Sequence, residues 1–359
     1  MSSAVHAQRD FDHSPFVVFY EVTQACDLAC QHCRACAQPT RHSAELTTRH
    51  ALQLLGQFAQ FPSPPLVVLT GGDPLKRDDV CDLVRHGVQA GLEVAMTPSA
   101  TPLVTPAALR ALRDAGLSRL AVSLDGADAE THDGLRGVTG SYDRTLEILA
   151  DARQAGLPLQ VNTTVTLQNV AQLDTLADLL ATRGIVLWSV FFLVPVGRGI
   201  QLPRISPNDY EMVFERLWRY AQRYPYAIKT TEAPHYRRYV LQLRGNPQRG
   251  PEINGVAASQ RAPLGINDGK GVMFVDHTGQ IFPSGFLPIP CGRFPLDSVV
   301  EIYQHGDLFR RLRQTNGLGG KCGRCEFRHV CGGSRARAFA VHGDPFAEEP
   351  DCVYVPHRI

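Results

Sequence analysis

Short apolar runs alternate with amphipathic stretches from Phe16 to about Pro195. This alternation of strand-length and helix-length patterns is typical of βαβ units that build a parallel sheet. Strands are predicted over 16–22, 66–70, 92–97, 119–124, 159–166 and 187–194, and helices over 47–58, 78–90, 106–115, 142–155 and 173–182. The fold class is therefore α/β, with a partial (β/α)6 TIM-like barrel whose functional loops lie at the carboxyl ends of the strands.

The alternation stops after Pro195. An amphipathic helix is predicted over 206–224, followed by a Gly-, Pro-, Asn- and Gln-rich stretch that is typical of a loop. Short strands over 271–276 and 280–283 predict a hairpin, and a helix is predicted near 300–314. The predicted domains are a tail over 1–14, a core barrel over 15–235, a linker or long loop over 236–270 and a C-terminal domain over 271–359.

Composition is that of a globular protein without a strong charge bias. The chain has 359 residues, 44% of them hydrophobic, which is enough to bury a large core. With 36 basic and 35 acidic residues, no global field attracts nucleic acid or an anionic membrane. Neither a secretion signal nor a run of 18 apolar residues is recognisable. We expect a cytoplasmic protein with no membrane span and no nucleic-acid partner.

The ten cysteines fall mainly near the two ends of the chain. Without a secretion signal, they are typical of metal ligands or free thiols. Cys26, Cys30 and Cys33 follow the first predicted strand in the order C-x3-C-x2-C. This spacing lets three thiolates bind a [4Fe–4S] cluster and leaves one iron open to a small molecule. Zinc also accepts thiolates, so the motif alone leaves both metals open.

A second motif, Gly71-Gly72-Asp73-Pro74, ends the second predicted strand. Paired glycines permit close backbone approach, although the same dipeptides occur in ordinary turns. Together with the three cysteines, the motif resembles the radical S-adenosylmethionine (SAM) superfamily, whose members carry glutamate at the aspartate position. The resemblance implies that the open iron chelates SAM and that one-electron reduction cleaves SAM. The resulting 5′-deoxyadenosyl radical abstracts a hydrogen atom from the substrate.

The resemblance also implies cofactor contacts at the ends of several strands. The candidate SAM contacts are Gly71, Gly72, Asp73, Ser123, Asp125, Asn162, Val194 and Gly197. A hydrogen-bonded turn is the alternative for each polar member of this group. The third strand ends in Thr97-Pro98-Ser99 instead of the Thr-Asn-Gly of relatives, so no contact is assigned there. Cys36 is interpreted as a free thiol, because a fourth thiolate would block the open iron.

The second cysteine group consists of Cys322, Cys325, Cys331 and Cys352. Four thiolates suit either a fully ligated [4Fe–4S] cluster or zinc. The spacing resembles the SPASM/twitch extension of radical SAM enzymes, which implies an auxiliary [4Fe–4S] cluster. Ser284 and Arg335 stand where a second auxiliary cluster would need cysteines, and Cys291 alone cannot hold one. One auxiliary cluster, and two clusters in total, are therefore predicted.

The stretches 191–199 and 331–338 are similar to the branch of the superfamily that contains the SAM-dependent heme synthase and the enzyme that matures the heme of dissimilatory nitrite reductase. This similarity implies oxidative decarboxylation of two propionates of Fe-coproporphyrin III to vinyl groups. Arg198, Arg335 and Arg337 are the candidate partners for substrate carboxylates, with surface or cluster-supporting roles as the alternative. A low-potential electron donor such as flavodoxin or ferredoxin is the expected partner.

Two other functions stay open at this stage. The first is a radical SAM maturase of a ribosomally made peptide, because SPASM/twitch enzymes often modify such peptides. The second is a non-catalytic binding protein stabilised by zinc. The roles of Cys36, Cys81 and Cys291, the oligomeric state and the abstracted hydrogen do not follow from the sequence.

Overall fold

The computed structural model describes residues 10–243, 245 and 263–357. Its strands are β1 (Val17–Thr23), β2 (Leu66–Gly71), β3 (Glu93–Met96), β4 (Arg119–Ser123), β5 (Leu159–Val165), β6 (Leu187–Phe192), β7 (Ala227–Thr231), β8 (Val272–Val275), β9 (Gln280–Phe282) and β10 (Gly292–Arg293). Its helices are α1 (Thr48–Phe58), α2 (Val80–Gln89), α3 (Pro106–Asp114), α4 (Ala129–Arg136), α5 (Ser141–Gln154), α6 (Leu173–Ala181), α7 (Pro207–Arg223), α8 (His235–Gln242), α9 (Val299–His305), α10 (Asp307–Arg313), α11 (Gly320–Gly323) and α12 (Arg335–His342). Short 3₁₀ turns cover 74–76, 170–172, 197–201 and 315–317.

All ten strands belong to one sheet, in the order β10-β9-β8-β1-β2-β3-β4-β5-β6-β7. Strands β1 to β7 are parallel neighbours in chain order, and β8 runs parallel to β1 at the other side. Strands β9 and β10 continue the sheet in antiparallel fashion. Since β7 and β10 are the two edges, the sheet forms an open barrel wall and not a closed one.

The six predicted strands and the five predicted helices between them are confirmed to within two residues at each end. Strands β7 and β10 and helices α4, α8, α11 and α12 are additional elements. The β7 sequence Ala-Ile-Lys-Thr-Thr has no apolar run, and its residues are only half-buried, so no strand pattern marks it. Helix α4 is largely polar and begins at the side-chain cap of Asp128, which accepts a hydrogen bond from the Thr131 amide.

Capping residues explain where the predicted helices begin. Thr105 accepts a hydrogen bond from the Ala108 amide, and Pro106 stands at the first position of α3. At α7, Ser206 and Asp209 form a reciprocal capping box. Both starts were signalled by Ser or Thr directly before proline, so the local sequence alone positions these helices.

The C-terminal region differs from the sequence prediction in two respects. The hairpin of β8 and β9 is present, but β8 pairs with β1, so the sheet continues across the predicted boundary at residue 271. The single helix predicted near 300–314 is wrong, because α9 and α10 are separated at Gly306, where ψ is 132°. Helix α8 occupies the start of the predicted linker, and residues 244 and 246–262 of that linker lie outside the described part of the chain.

One face of the sheet packs against the helices, and the other lines a cavity. On β1, Val18 and Tyr20 are fully buried in the main hydrophobic core, which also contains helix residues such as Leu54 of α1 and Leu83 of α2. The alternate residues Val17 and Phe19 line a cavity inside the barrel. This alternation follows from the two-residue period of a strand.

Among the described helices, none is both long and apolar enough to cross a membrane.

Candidate active site

The first cysteine group lies on the loop that leaves β1 at its carboxyl end. Cys26 and Cys30 are buried in a small apolar cluster with Leu28 and Ala37, against which Cys33 packs. The Leu28 amide donates to the Cys26 sulfur at 3.3 Å, and the Ala37 amide donates to the Cys33 sulfur at 3.5 Å. Backbone donors directed at cysteine sulfurs are a feature of iron–sulfur sites, so this loop, hereafter the cysteine loop (residues 24–38), fits a cluster.

The end of β2 holds the first part of the cysteine loop through backbone contacts. The Gly72 amide donates to the Thr23 carbonyl at 2.8 Å, and the Asp73 amide donates to the Ala25 carbonyl at 2.7 Å. A Cβ atom on Gly71 would overlap the Thr23 carbonyl oxygen, and one on Gly72 would overlap that of Ala25. Glycine is therefore required at both positions for the loop to pack this closely.

The Asp73 side chain connects the ends of β2 and β3. Its fully buried carboxylate accepts a hydrogen bond from the Thr101 hydroxyl at 2.6 Å and weaker ones from the amides of Leu75 and Ser99. Burial raises the pKa of Asp73 in spite of these hydrogen bonds. The Ser99 hydroxyl, in turn, donates to the Gly72 carbonyl and lies 3.3 Å from the Cys26 sulfur. The unusual Thr-Pro-Ser ending of β3 thus has a supporting role that the sequence pattern did not indicate.

The end of β6 holds the second part of the cysteine loop. The Arg198 amide donates to the Cys33 carbonyl at 3.0 Å, and the Arg198 Nε donates to the Cys30 carbonyl at 2.9 Å. A Cβ atom on Gly197 would lie 2.5 Å from the carbonyl oxygens of Cys33 and Arg34. Val194 is buried nearby, in a cluster with residues of the C-terminal region. Arg198 therefore holds the loop in place and does not line the barrel cavity. The sequence analysis predicted it as a substrate contact.

A buried charge network lies next to the cysteine loop. Asp125 is 2.5 Å from the Arg136 guanidinium and 3.4 Å from His32 Nε2, and it accepts the Thr164 amide at 2.7 Å. Arg136 also lies 3.7 Å from the Cys30 sulfur. Burial alone would raise the pKa of Asp125, but the Arg136 charge is the main effect that outweighs it and lowers that pKa. Burial lowers the pKa of His32 to about 4, so its imidazole is neutral at pH 7.

Arg136 is a site residue that the sequence analysis missed, because it belongs to the unpredicted helix α4. Its guanidinium neutralises Asp125 on one side and provides positive charge beside a cluster ligand on the other.

Two other predicted SAM contacts lie in this region. Ser123 ends β4 and pairs in register with Asn162 on β5. Only Asn162 lines the barrel cavity, where its side-chain oxygen accepts a hydrogen bond from Gln160 at 2.7 Å.

The barrel cavity has a volume of about 360 Å³ and is lined by residues from β1 to β8. Its aromatic lining residues are Phe16, Phe19, Phe191, Tyr236, Phe274 and Phe286. Its charged lining residues are Arg34, Arg119, Lys229, Glu232, Arg237 and Asp268. With four cations against two acids, the cavity suits a large, flat ligand that carries carboxylates.

Arg34 is a residue of the cysteine loop that lines this cavity. Its guanidinium donates to Glu21 at 2.8 Å and lies 4.4 Å above the Phe274 ring. Glu21 also contacts His277 Nδ1 at 2.7 Å, in the turn between β8 and β9. Burial would raise the pKa of Glu21, but Arg34 and His277 together lower it. This buried triad joins the cysteine loop to the C-terminal hairpin.

The second cysteine group surrounds a smaller space. Cys322, Cys325, Cys331 and Cys352 line it together with the basic residues Arg238, Lys321 and Arg328. The Glu349 amide donates to the Cys322 sulfur at 3.2 Å, and the Gly333 amide donates to the Cys331 sulfur at 3.4 Å. In the described part of the chain, no three His, Cys, Asp or Glu side chains converge on one metal ion. A [4Fe–4S] cluster requires a different arrangement, because each thiolate binds a separate iron, and four cysteines around a common space suit it.

Arg335 and Arg337, which the sequence analysis predicted as substrate contacts, do not line the barrel cavity. Their side chains are only 1% and 0% exposed. Arg337 Nε lies 2.8 Å from Glu349 and 3.2 Å from Asp351. Arg335 donates to the carbonyls of 345 and 347. Because these partners lie on the segment that ends in Cys352, both arginines hold that segment against α12. Burial alone would raise the pKa of Glu349, but Arg337 holds it at about 2.

A polar partition separates the barrel cavity from the second cysteine group. Glu232 lines the cavity at the end of β7 and, although it is not glycine, has a φ of 60°. Its carboxyl accepts the Ser334 hydroxyl at 2.5 Å, and its carbonyl accepts Arg337 Nη2 at 2.6 Å. Burial, followed by the neighbouring Asp268 carboxylate, raises the pKa of Glu232 well above its ordinary value. Asp268 itself accepts the first amides of α12.

Comparisons with known proteins agree with this site. Residues 20–180 match the Radical SAM superfamily. Over 350 residues, the chain is 39% identical to the AdoMet-dependent heme synthase of Methanosarcina barkeri, covering 96% of this chain and 98% of that protein. It is 37% identical to the protein of the same name from Nitratidesulfovibrio vulgaris, covering 96% and 93%. The crystal structure of Streptococcus suis SuiB bound to S-adenosylmethionine is similar in fold, with a TM-score of 0.72, 16% identity and coverage of 95% and 78%.

The chain therefore belongs to the radical SAM superfamily. It is an enzyme, and the cofactors of its family are SAM and a SAM-binding [4Fe–4S] cluster. The auxiliary cluster at the second cysteine group stays a prediction. The alternative of a non-catalytic, zinc-stabilised binding protein is overturned by this membership. Which side chains bind each cofactor stays a prediction, supported by the geometry described above.

Gly72→Ala tests the close packing between β2 and the cysteine loop. The added Cβ would overlap the Ala25 carbonyl, so the loop is expected to move and its cluster to be lost. Iron content after anaerobic reconstitution should fall by about half, since one of two clusters remains. Gly56→Ala is the matched control, because nothing lies within 4 Å of its added Cβ. Full iron content and normal SAM cleavage in Gly72→Ala would contradict the packing argument.

Arg337→Met tests whether Arg337 is structural. Removing one member of a buried ion pair leaves Glu349 uncompensated, so the free energy of unfolding should fall by about 3–5 kcal/mol. Denaturant titration measures this loss. Arg85→Met removes an exposed ion pair with Asp82 and should change stability by about 0.5 kcal/mol or less. Unchanged stability with weaker substrate binding would instead restore the predicted substrate role.

Proposed function

We propose that this enzyme converts two propionate side chains of Fe-coproporphyrin III into vinyl groups by oxidative decarboxylation and so forms heme. The observation that carries the proposal is the aromatic, cationic barrel cavity beside the cysteine loop. Similarity over 96% of the chain to a relative named AdoMet-dependent heme synthase supports the same substrate class. A tetrapyrrole with four carboxylates is flat, apolar across its faces and anionic at its rim, which matches this lining.

When its cofactors are bound, the site at the cysteine loop supplies one-electron cleavage of SAM and hydrogen abstraction from a propionate by the 5′-deoxyadenosyl radical. The substrate radical then releases carbon dioxide and one electron, and its side chain becomes a vinyl group. One electron enters for each SAM cleaved, and one leaves for each vinyl group formed, so the reaction is balanced. A low-potential flavodoxin or ferredoxin in the cytoplasm is the proposed donor.

The residues of the chain have distinct proposed roles. Cys26, Cys30 and Cys33 bind the cluster that leaves an iron open for SAM, and Asn162 faces the bound SAM from the cavity wall. Gly72 provides close backbone approach, as the family motif implies. The remaining predicted contacts, Gly71, Asp73, Ser123, Asp125, Val194 and Gly197, act mainly by placing the cysteine loop and the strand ends.

The second cysteine group accepts the electron that leaves the substrate. Cys322, Cys325, Cys331 and Cys352 bind one auxiliary cluster, and basic side chains around them offset its negative charge. The polar partition of Glu232 and Ser334 lies between this group and the cavity. This arrangement gives the electron a route through protein and keeps the substrate radical separate from the auxiliary site.

The reaction itself is tested by anaerobic incubation of the reconstituted enzyme with SAM, a reductant and Fe-coproporphyrin III. Mass analysis should show loss of two carboxyl groups from the porphyrin and two molecules of 5′-deoxyadenosine for each heme formed. Formation of 5′-deoxyadenosine with unchanged porphyrin would contradict the proposed substrate. Repeating the incubation with candidate ribosomal peptides then tests the peptide maturase alternative.

Cysteine variants separate the two cluster sites. Cys26→Ala, Cys30→Ala and Cys33→Ala should each abolish SAM cleavage, because the open iron needs all three ligands. Cys325→Ala should retain SAM cleavage but form no heme, because the electron that leaves the substrate has no acceptor. Cys81→Ala is the control, since that side chain packs against the hydrophobic core and belongs to neither group. Formation of 5′-deoxyadenosine by Cys26→Ala would refute the assignment of the first site.

A further inference from the structure

Two of the four cations in the barrel cavity lack a strong protein partner. Among the residues that the structure describes, no hydrogen bond or ion pair holds the Lys229 ammonium, and Arg119 is the charged group that acts on it. Arg119 has one acidic neighbour, Glu93, at 3.9 Å, which is beyond hydrogen-bond distance. The other two cations are engaged by protein. Arg34 donates to Glu21, and Arg237 donates to the carbonyls of 266 and 330.

Placing Lys229 beside Arg119 is unfavourable in the protein alone. Two cations repel each other, and burial removes the water that would otherwise solvate them. Burial, and then the Arg119 charge, lowers the pKa of Lys229 to about 8, and burial also lowers the pKa of Arg119. An anionic ligand between the two side chains would offset both effects. The pair is therefore a built site for one or two carboxylates.

Arg119 lies away from the cysteine loop. Arg119 is the first residue of β4, whereas the loop follows the carboxyl end of β1, at the opposite end of the parallel wall. The four residues from Arg119 to Ser123 span about 13 Å at the rise of a β-strand, which is comparable to the width of a tetrapyrrole. Lys229 is in the middle of β7, opposite Ser189 of β6. The apolar lining residues Val68, Ala121 and Phe191 belong to the same cavity wall.

We propose that Lys229 and Arg119 bind the two propionates that the reaction leaves intact. This assignment rests on the proposed function, because it takes Fe-coproporphyrin III as the substrate. The two retained propionates are neighbours on the macrocycle, as the two cations are neighbours in the cavity. Anchoring them at the amino end of β4 and the middle of β7 directs the other two propionates toward the cysteine loop. The pair thus determines which side chains react, and it is a positioning site for the macrocycle.

Titration of the anaerobic holoenzyme with Fe-coproporphyrin III and with protoheme, followed by porphyrin absorbance, tests this proposal. Protoheme keeps only the two propionates assigned to the anchor. Lys229→Met and Arg119→Gln should each weaken both ligands by a similar factor of about tenfold or more, as expected for loss of a charged hydrogen bond. Lys229→Arg should keep near-normal affinity for both. In Lys229→Met, more 5′-deoxyadenosine should form for each vinyl group, because the macrocycle is less well positioned.

The outcomes are distinguishable. Removal of a cavity-facing charge that has no strong partner is not expected to unfold the protein, and iron content reports whether each variant is intact. Unchanged affinity for both porphyrins in Lys229→Met and Arg119→Gln would overturn the proposed anchor. The proposed function would still stand in that case if the wild-type enzyme formed heme. Weaker binding of Fe-coproporphyrin III alone would mean that the pair holds the reacting propionates, which also overturns it. If the wild-type enzyme neither bound nor converted either porphyrin, anchor and proposed function would fail together.

Discussion

Close backbone contact between the cysteine loop and the ends of neighbouring strands is the constraint on which this site depends. The ends of β2 and β6 each donate amide hydrogen bonds to carbonyls of the loop. These contacts require that Gly72 and Gly197 have no side chain. Arg198 and Arg136 then fill the remaining sides, one through loop carbonyls and the other through Asp125 and the Cys30 sulfur. A loop held on several sides keeps three sulfurs in position before any cluster binds.

The same loop connects the barrel to the C-terminal region, so the two cysteine groups share one scaffold. Glu21 joins Arg34 of the loop to His277 of the β8–β9 turn. The end of β6 packs through Val194 on a cluster that includes Ala336 of α12. Since β8 also pairs with β1, displacement of either region would disturb the other. The geometry therefore links the two cysteine groups to each other.

Charge inside the barrel is arranged differently from charge around the cysteines. Arg337 is neutralised by Glu349 and Asp351, so it stabilises the C-terminal segment, and it does not line the barrel cavity. Among the described residues, Lys229 faces the cavity without such an ion pair, and Arg119 has only Glu93 at 3.9 Å. Buried ion pairs hold structure together, whereas buried charges without partners indicate a ligand. This distinction explains why arginines near a motif are poor guides to substrate contacts, while isolated cations on inner strand positions are better ones.

The sequence by itself determined the strand-helix order and the two cysteine groups, because these depend on local periodicity and spacing, and the resemblance of its motifs to a family implied the chemistry. Tertiary structure decided the rest. Arg136 lies on a polar helix with no clear pattern, and Lys229 lies on a strand without an apolar run, so neither could be recognised along the chain. The sequence placed Arg335 beside a cysteine motif, but only packing shows its side chain turned away from the cavity. Spacing along a chain identifies possible ligands, whereas the partner of a buried charge depends on contacts between distant segments.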